Sequence, residues 1–206
     1  MKFIISPSRA IKTDPDTVPY RNMPCFLDKT KRIHQRLLEL STKELGHLYI
    51  CDIRTTLKDK EMFEQLNLYK ELTPAIFAYS GFQYSCLAPK TFTEPQLEYL
   101  QEHLRILSGF YGILRPLDGV TPHHLAMKTK LEIDGKKNLY EFWGSSIAEK
   151  LFSETDCVIN LTSKEYSISV SRQMSKLRQD QRIGFDDYLR VREKDERKNC
   201  SERIPQ

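Results

Sequence analysis

The residues best suited to chemistry crowd around one short stretch. Gly109 and Gly112 lie three apart among apolar residues, with His103, Arg105, Arg115, His123, His124, Lys128 and Lys130 nearby and Asp118 as the main carboxylate. Backbone N–H groups freed at a glycine-rich junction, flanked by arginines, suit a phosphate group. The same residue types also fit a solvated helix face beside glycines that merely permit close packing. Asp118 with His123 or His124 has the makings of an acid/base pair. No GxSxG nucleophile elbow accompanies it, and no catalytic residue is assigned.

Two further polar clusters stand where strands are expected to end. Ser6-Pro7-Ser8-Arg9 follows the apolar run Phe3-Ile4-Ile5, and Asn160-Leu161-Thr162-Ser163-Lys164 closes a second apolar run. Hydroxyl-rich loops leaving buried strands hold phosphates in many α/β proteins. Neither cluster carries the glycines of a Walker loop or a dinucleotide fingerprint. Ser6, Arg9, Asn160, Ser163 and Lys164 are therefore candidates for a phosphate-binding or polar cleft, and they define the alternative function: an enzyme acting on a nucleotide or nucleic acid.

Other chemistries find little support. The five cysteines are widely spaced with no CxxC, and the five histidines form no HExxH. That argues against a disulfide framework or a zinc site and fits a reducing compartment. No metal or cofactor is expected. The net charge of +4 permits a polyanionic partner without demanding one. With a mean hydropathy of −0.53, no apolar run approaches the roughly 20 residues needed to span a bilayer. Ser6-Pro7 interrupts any signal-peptide pattern at once. A cytoplasmic protein with no membrane partner is the expectation.

The elements that must position these residues alternate between helix and strand. Residues 2–5 read as a buried strand and 13–24, with three prolines, as a loop. A helix is expected from Asp28, with Ile33, Leu37 and Leu38 on one face, and another over 58–68. Pro74 to Tyr79 reads as a buried strand. Thr93-Glu94-Pro95-Gln96 is a capping box, and Leu97, Leu100, Leu104 and Leu107 fall at helical spacing up to a stop at Gly109. A helix over 139–151 and a strand over 157–161 complete the pattern. The class is α+β in a single mixed domain.

From about Ser171 the texture changes: residues 171–206 carry ten Lys/Arg and seven Asp/Glu, with apolar residues at no sustained spacing. This segment reads as a divergent, disordered tail.

Five segments together carry a family resemblance: ISPSR (5–9), LTPAI (72–76), HLRILSGFYGILRPLDGVTPHHLAMKTKL (103–131), NLYEFWG (138–144) and VINLTSKEY (158–166). They resemble the peroxide stress protein YaaA family, over residues 1–170. The resemblance implies a DNA-binding protein of the oxidative stress response without established catalysis. Its fold would be α+β, containing a helix-hairpin-helix. Placed on the glycines, that element would have its first helix at 94–107 and its hairpin at Gly109–Gly112. Ser108, Gly109, Tyr111 and Gly112 would then bind nucleic acid, and Arg105, Arg115, Lys128 and Lys130 would support them against a DNA phosphate. The sequence departs from the family in having Ser8 and Arg9 where Ala-Lys is usual, and Asp52 to Thr56 in place of an Asn-Asp-Lys-type pattern. The family's later strands and its Ala-Lys-x-Ala-Arg-Gly stretch are absent, implying a missing C-terminal part. Dropping one nucleotide before Phe185 permits a family-like Leu-Met-Thr-Thr-Cys-Val-Phe, so the tail reads as a frameshifted remnant.

Overall fold

The computed structural model describes residues 1–14, 16–49 and 53–177. Its centre is a four-stranded sheet in the order β6-β5-β1-β8, built from β1 (Lys2–Ile5), β5 (Leu104–Ser108), β6 (Gly112–Leu114) and β8 (Val158–Leu161). The first strand lies in the middle. It pairs in parallel with β5 (Phe3 opposite Leu104) and with β8 (Phe3 opposite Ile159), while β5 and β6 form an antiparallel hairpin. Strands buried among neighbours read as continuous apolar runs, as Phe3-Ile4-Ile5 does. Two small ribbons join β2 (Ala10–Ile11) to β4 (Tyr79–Ser80) and β3 (Thr73–Pro74) to β7 (Gly119–Val120).

Helices occupy the connections. They are α1 (Leu27–Glu39), α2 (Thr42–Tyr49), α3 (Ile53–Gln65), α4 (Ala75–Ala78), α5 (Phe82–Leu87), α6 (Glu94–His103), α7 (Leu139–Trp143), α8 (Ser146–Phe152) and α9 (Lys164–Leu177). α6 packs on β1 and β5, α8 on β6 and α9, and α3 on α1 and α2. The capping box forms as expected: the Thr93 N–H donates to Gln96 Oε1 at 2.8 Å, and the Thr93 side chain takes the reciprocal bond. The largest fully buried side chains include Trp143, Tyr111, Phe63 and Phe110. The Trp143 indole N–H donates to the Gly109 carbonyl at 3.0 Å, tying α7 to the β5–β6 turn.

The structure is mixed α and β, as expected, but differs from the sequence reading in several places. The helix ends at His103, and Leu104 to Ser108 run as a strand. No helix-hairpin-helix is therefore found at 94–117; the segment folds as helix, strand, tight turn and strand. Pairing with β1 decides this, because all five residues of β5 become buried, more than one helix face could achieve. Residues 75–78, expected as strand, form a helical turn buried on every side between β3 and β4. The helix expected over 139–151 is two helices, broken at Gly144, whose φ is +52°. The second polar helix begins at Ile53 and ends at Gln65 rather than spanning 58–68. The first seven residues of the expected tail, 171–177, continue α9; the remainder lies outside the described residues.

Candidate functional site

The three parallel strands end on the same side of the sheet, and each ends in a hydroxyl. Ser6 follows β1, Ser108 closes β5, and Thr162 and Ser163 follow β8. From central β1 the chain reaches β5 on one side and β8 on the other, the arrangement that opens a crevice beyond the carboxyl ends of parallel strands. A cleft of about 2370 Å³ occupies that place. Its rim is held by short-range bonds. The Ser163 N–H donates to Ser6 Oγ at 2.9 Å, joining the ends of β1 and β8. Asn160 Oδ1 accepts from the Thr162 N–H at 2.9 Å and from its hydroxyl at 2.6 Å. The Tyr84 hydroxyl donates to the Ser6 carbonyl at 3.0 Å.

Four exposed cations line this cleft: Arg9, Lys128, Lys130 and Lys164. Lys128 lies 3.9 Å from the Glu165 carboxylate, whereas Arg9, Lys130 and Lys164 make no ion pair among the described residues. Lys164 opens α9, so the positive end of that helix dipole faces the same rim. The opposite wall comes from α2 and α3, including Glu44, His47 and Asp59. Asp59 is spoken for, since its carboxylate bonds His124 Nδ1 at 2.8 Å. Tyr79, Ser108 and His123 complete the lining and are almost entirely buried. Burial drives the His123 imidazole down to about 4, so it is neutral near pH 7.

The candidates separate cleanly. Ser6, Arg9, Asn160, Ser163 and Lys164 converge on the cleft, and Lys128 and Lys130 join them from the 121–134 segment. Ser108 reaches it too, but from a buried strand end: its Oγ accepts the N–H groups of Phe110 and Tyr111 at 3.2 and 3.1 Å. Of the remaining residues assigned to a DNA-contacting hairpin, Arg105, Gly109, Tyr111 and Gly112 are consumed by the core. Arg105 is 4% exposed and is saturated by Glu154, at 2.5 Å, and by the carbonyls of Gln101 and Leu104. Tyr111 is buried, with its hydroxyl accepting the Thr121 N–H. A Cβ at Gly109 would stand 2.6 Å from the Leu125 carbonyl oxygen, and one at Gly112 would stand 2.8 Å from the Trp143 ring. These glycines serve close packing, and at Gly112 also a φ of +75°.

Arg115 and Asp118 belong to a second, smaller cavity of about 170 Å³. There Glu154 collects Arg105, Lys150 at 2.9 Å and Arg115 at 3.8 Å. Asp118 Oδ2 accepts the Arg115 N–H at 2.8 Å, while its Oδ1 is buried without a partner. Burial raises its carboxyl to about 7, against the pull of the two arginines. Cys25 lines the same cavity from an exposed position. Asp118 and His123 thus serve different cavities, and the acid/base pair is not assembled. No cluster of metal-ligating residues occurs among the described residues, and none of their helices is long and apolar enough to cross a membrane. The α2–α3 wall leaves no signature in the sequence, because its chemistry-bearing residues, His47 and Asp59, lie in polar helices without motif spacing.

Similarity to known proteins agrees with the segments that carry the resemblance. A UPF0246 protein of Lactobacillus helveticus is 44% identical over 187 residues, which is 91% of this chain and 74% of the relative. One of Lachnoclostridium phytofermentans is 44% identical over 176 residues, 85% of this chain and 69% of the relative. One of Agathobacter rectalis is 39% identical over 175 residues, 85% and 70% respectively. The family described as "Peroxide stress protein YaaA" matches residues 1–197, nearly the whole chain. This chain therefore belongs to the YaaA peroxide stress protein family.

Proposed function

We propose that this chain is a cytosolic DNA-binding protein of the hydrogen peroxide stress response, and that it grips phosphates at the rim of the strand-end cleft. One observation carries the reading: Arg9, Lys128, Lys130 and Lys164 gather with the hydroxyls of Ser6 and Ser163 around a single open cleft. Cations on hydroxyl-bearing loops neutralise backbone phosphates without reading bases, so binding is largely independent of sequence and steeply salt-dependent. The helices α2 and α3 form the wall of the cleft that faces these cations. They pack on one another, with His47 and Thr55 lining the cleft.

Fluorescence anisotropy on a labelled duplex over a salt series tests this. The triple variant Arg9→Ala/Lys130→Ala/Lys164→Ala should flatten the slope of log K against log salt by about 3, at roughly 0.9 per lost phosphate contact. Lys136→Ala/Lys137→Ala, exposed outside the cleft, should leave the slope unchanged. Undiminished binding by the triple variant would remove the cleft as the contact surface.

A second reading, an enzyme acting on a nucleotide or nucleic acid, draws support from the convergence of Ser6, Arg9, Asn160 and Ser163 with His123 in that cleft. Release of product from DNA or nucleotides by the purified chain, lost in Ser6→Ala, would favour it.

A further inference from the structure

The cleft is cationic at its rim and neutral at its floor. Tyr79, 3% exposed, and His123, 5% exposed, lie there with Ser108 on a bed of aromatic rings. His123 stacks on Phe110 at 4.8 Å and meets Tyr79 edge-on at 6.2 Å. Each of the three has hydrogen-bonding capacity to spare. His123 Nδ1 lies 2.8 Å from the Thr121 carbonyl, so this nitrogen carries the proton and Nε2 is left as an acceptor with no partner among the described residues. The Tyr79 hydroxyl is buried and makes no hydrogen bond of good geometry. The Ser108 oxygen is occupied by two backbone N–H groups, which leaves its hydrogen to donate. Buried polar groups normally have partners, so a floor where the neighbouring Tyr79 and Ser108 hydroxyls leave a donor to spare beside the His123 acceptor is matched to a ligand edge of complementary pattern.

We propose that this floor receives the uncharged base of a single nucleotide whose phosphate is held by Arg9, Lys130 and Lys164 at the rim. The inference rests on the phosphate-binding reading of the cleft and adds the ligand class. A nucleobase presents neutral carbonyl, ring-nitrogen and amino groups on one edge, which suits a floor without charge. Burial holds His123 neutral at physiological pH, so the floor stays uncharged there. The nucleotide has two sources: free in solution, or turned out of a strand so that its base leaves the stack.

Calorimetric titration of the full chain with each deoxynucleoside 5′-monophosphate and with 2-deoxyribose 5-phosphate tests the floor. At least one nucleotide should bind about tenfold more tightly than the sugar phosphate. Tyr79→Phe should erase about fivefold of that difference and leave sugar-phosphate binding unchanged. The variant removes a hydroxyl whose polar neighbour is the Ser108 side chain, which keeps its two backbone N–H bonds, so folding should survive, and a thermal melt checks it. Equal binding of nucleotides and sugar phosphate, no binding of either, or a difference untouched by Tyr79→Phe overturns the proposal. Duplexes with and without one unpaired nucleotide identify the source. A preference for the unpaired site that Tyr79→Phe abolishes assigns the base to a strand; discrimination confined to the mononucleotides assigns it to free nucleotide. Tyr79-dependent nucleotide binding without any duplex binding would leave this inference standing while the DNA reading falls.

Discussion

Two buried groups titrate against each other, and separating them exposes how each is held. Asp118 is raised to about 7 by burial, so near pH 6 it stays protonated in the folded protein while ionised in the unfolded chain. Folding then retains a proton that unfolding releases, and stability falls as pH rises, by about 1.36 kcal/mol per pH unit, until pH passes 7. His123 is lowered to about 4 by burial, so below its ordinary value near 6.5 it is neutral when folded and charged when unfolded. Unfolding takes up that proton, and stability rises with pH at the same rate up to about pH 6.5. Between pH 5 and 6.5 the two slopes oppose, and the wild-type protein should be nearly flat. Asp118→Asn should uncover the histidine, with stability climbing by about 2 kcal/mol from pH 5 to 6.5. His123→Gln should uncover the aspartate, with stability falling by a similar amount and continuing down to pH 7. Urea unfolding followed by circular dichroism at half-unit pH steps measures both. Slopes are compared rather than absolute stabilities, so a constant cost of either substitution cancels. A pH-independent Asp118→Asn protein would refute the neutral burial of His123, and a flat His123→Gln protein would refute the raised Asp118.

Glu154→Gln should destabilise the fold by about 3 kcal/mol, because it strips the buried Arg105 guanidinium of its counter-charge; urea midpoints read the loss. Gly112→Ala and Gly135→Ala separate packing from backbone strain. Both glycines have positive φ, +75° and +72°, but only Gly112 has a ring against it. Thermal unfolding should show a loss of about 1 kcal/mol for Gly135→Ala and about 3 kcal/mol for Gly112→Ala, and equal losses would deny the Trp143 contact its role.

Much of this fold is legible where local signals act alone. The strand at 2–5, the helix beginning near Asp28, the capping box at Thr93 and the strand at 158–161 follow from short-range patterns. The misreadings come where tertiary burial overrides them. Leu97, Leu100, Leu104 and Leu107 share helical spacing, yet the last two sit in a strand because β1 offers pairing that a helix would forgo. Pro74 to Tyr79 is apolar throughout, and such a run cannot distinguish a buried strand from a buried helical turn. Arg105 looked like a phosphate contact because its partner, Glu154, lies 49 residues away. The strand-end residues Ser6, Arg9, Asn160, Ser163 and Lys164 were legible because a polar loop following a buried strand is a local signature. Their convergence was not, since it depends on which strands become neighbours.

The central position of β1 has a kinetic consequence. Lys2 to Ile5 are synthesised long before their partners, for they pair with residues 104–106 on one edge and 158–161 on the other. At roughly 5–20 residues per second, the growing chain must carry this apolar segment for on the order of 10 s before its second partner exists. Only then can the sheet close, so its assembly waits on the last described strand and on closing very long loops. During that interval the Phe3-Ile4-Ile5 run is open to any other strand edge in the cell, which exposes this segment to chaperone capture and to aggregation.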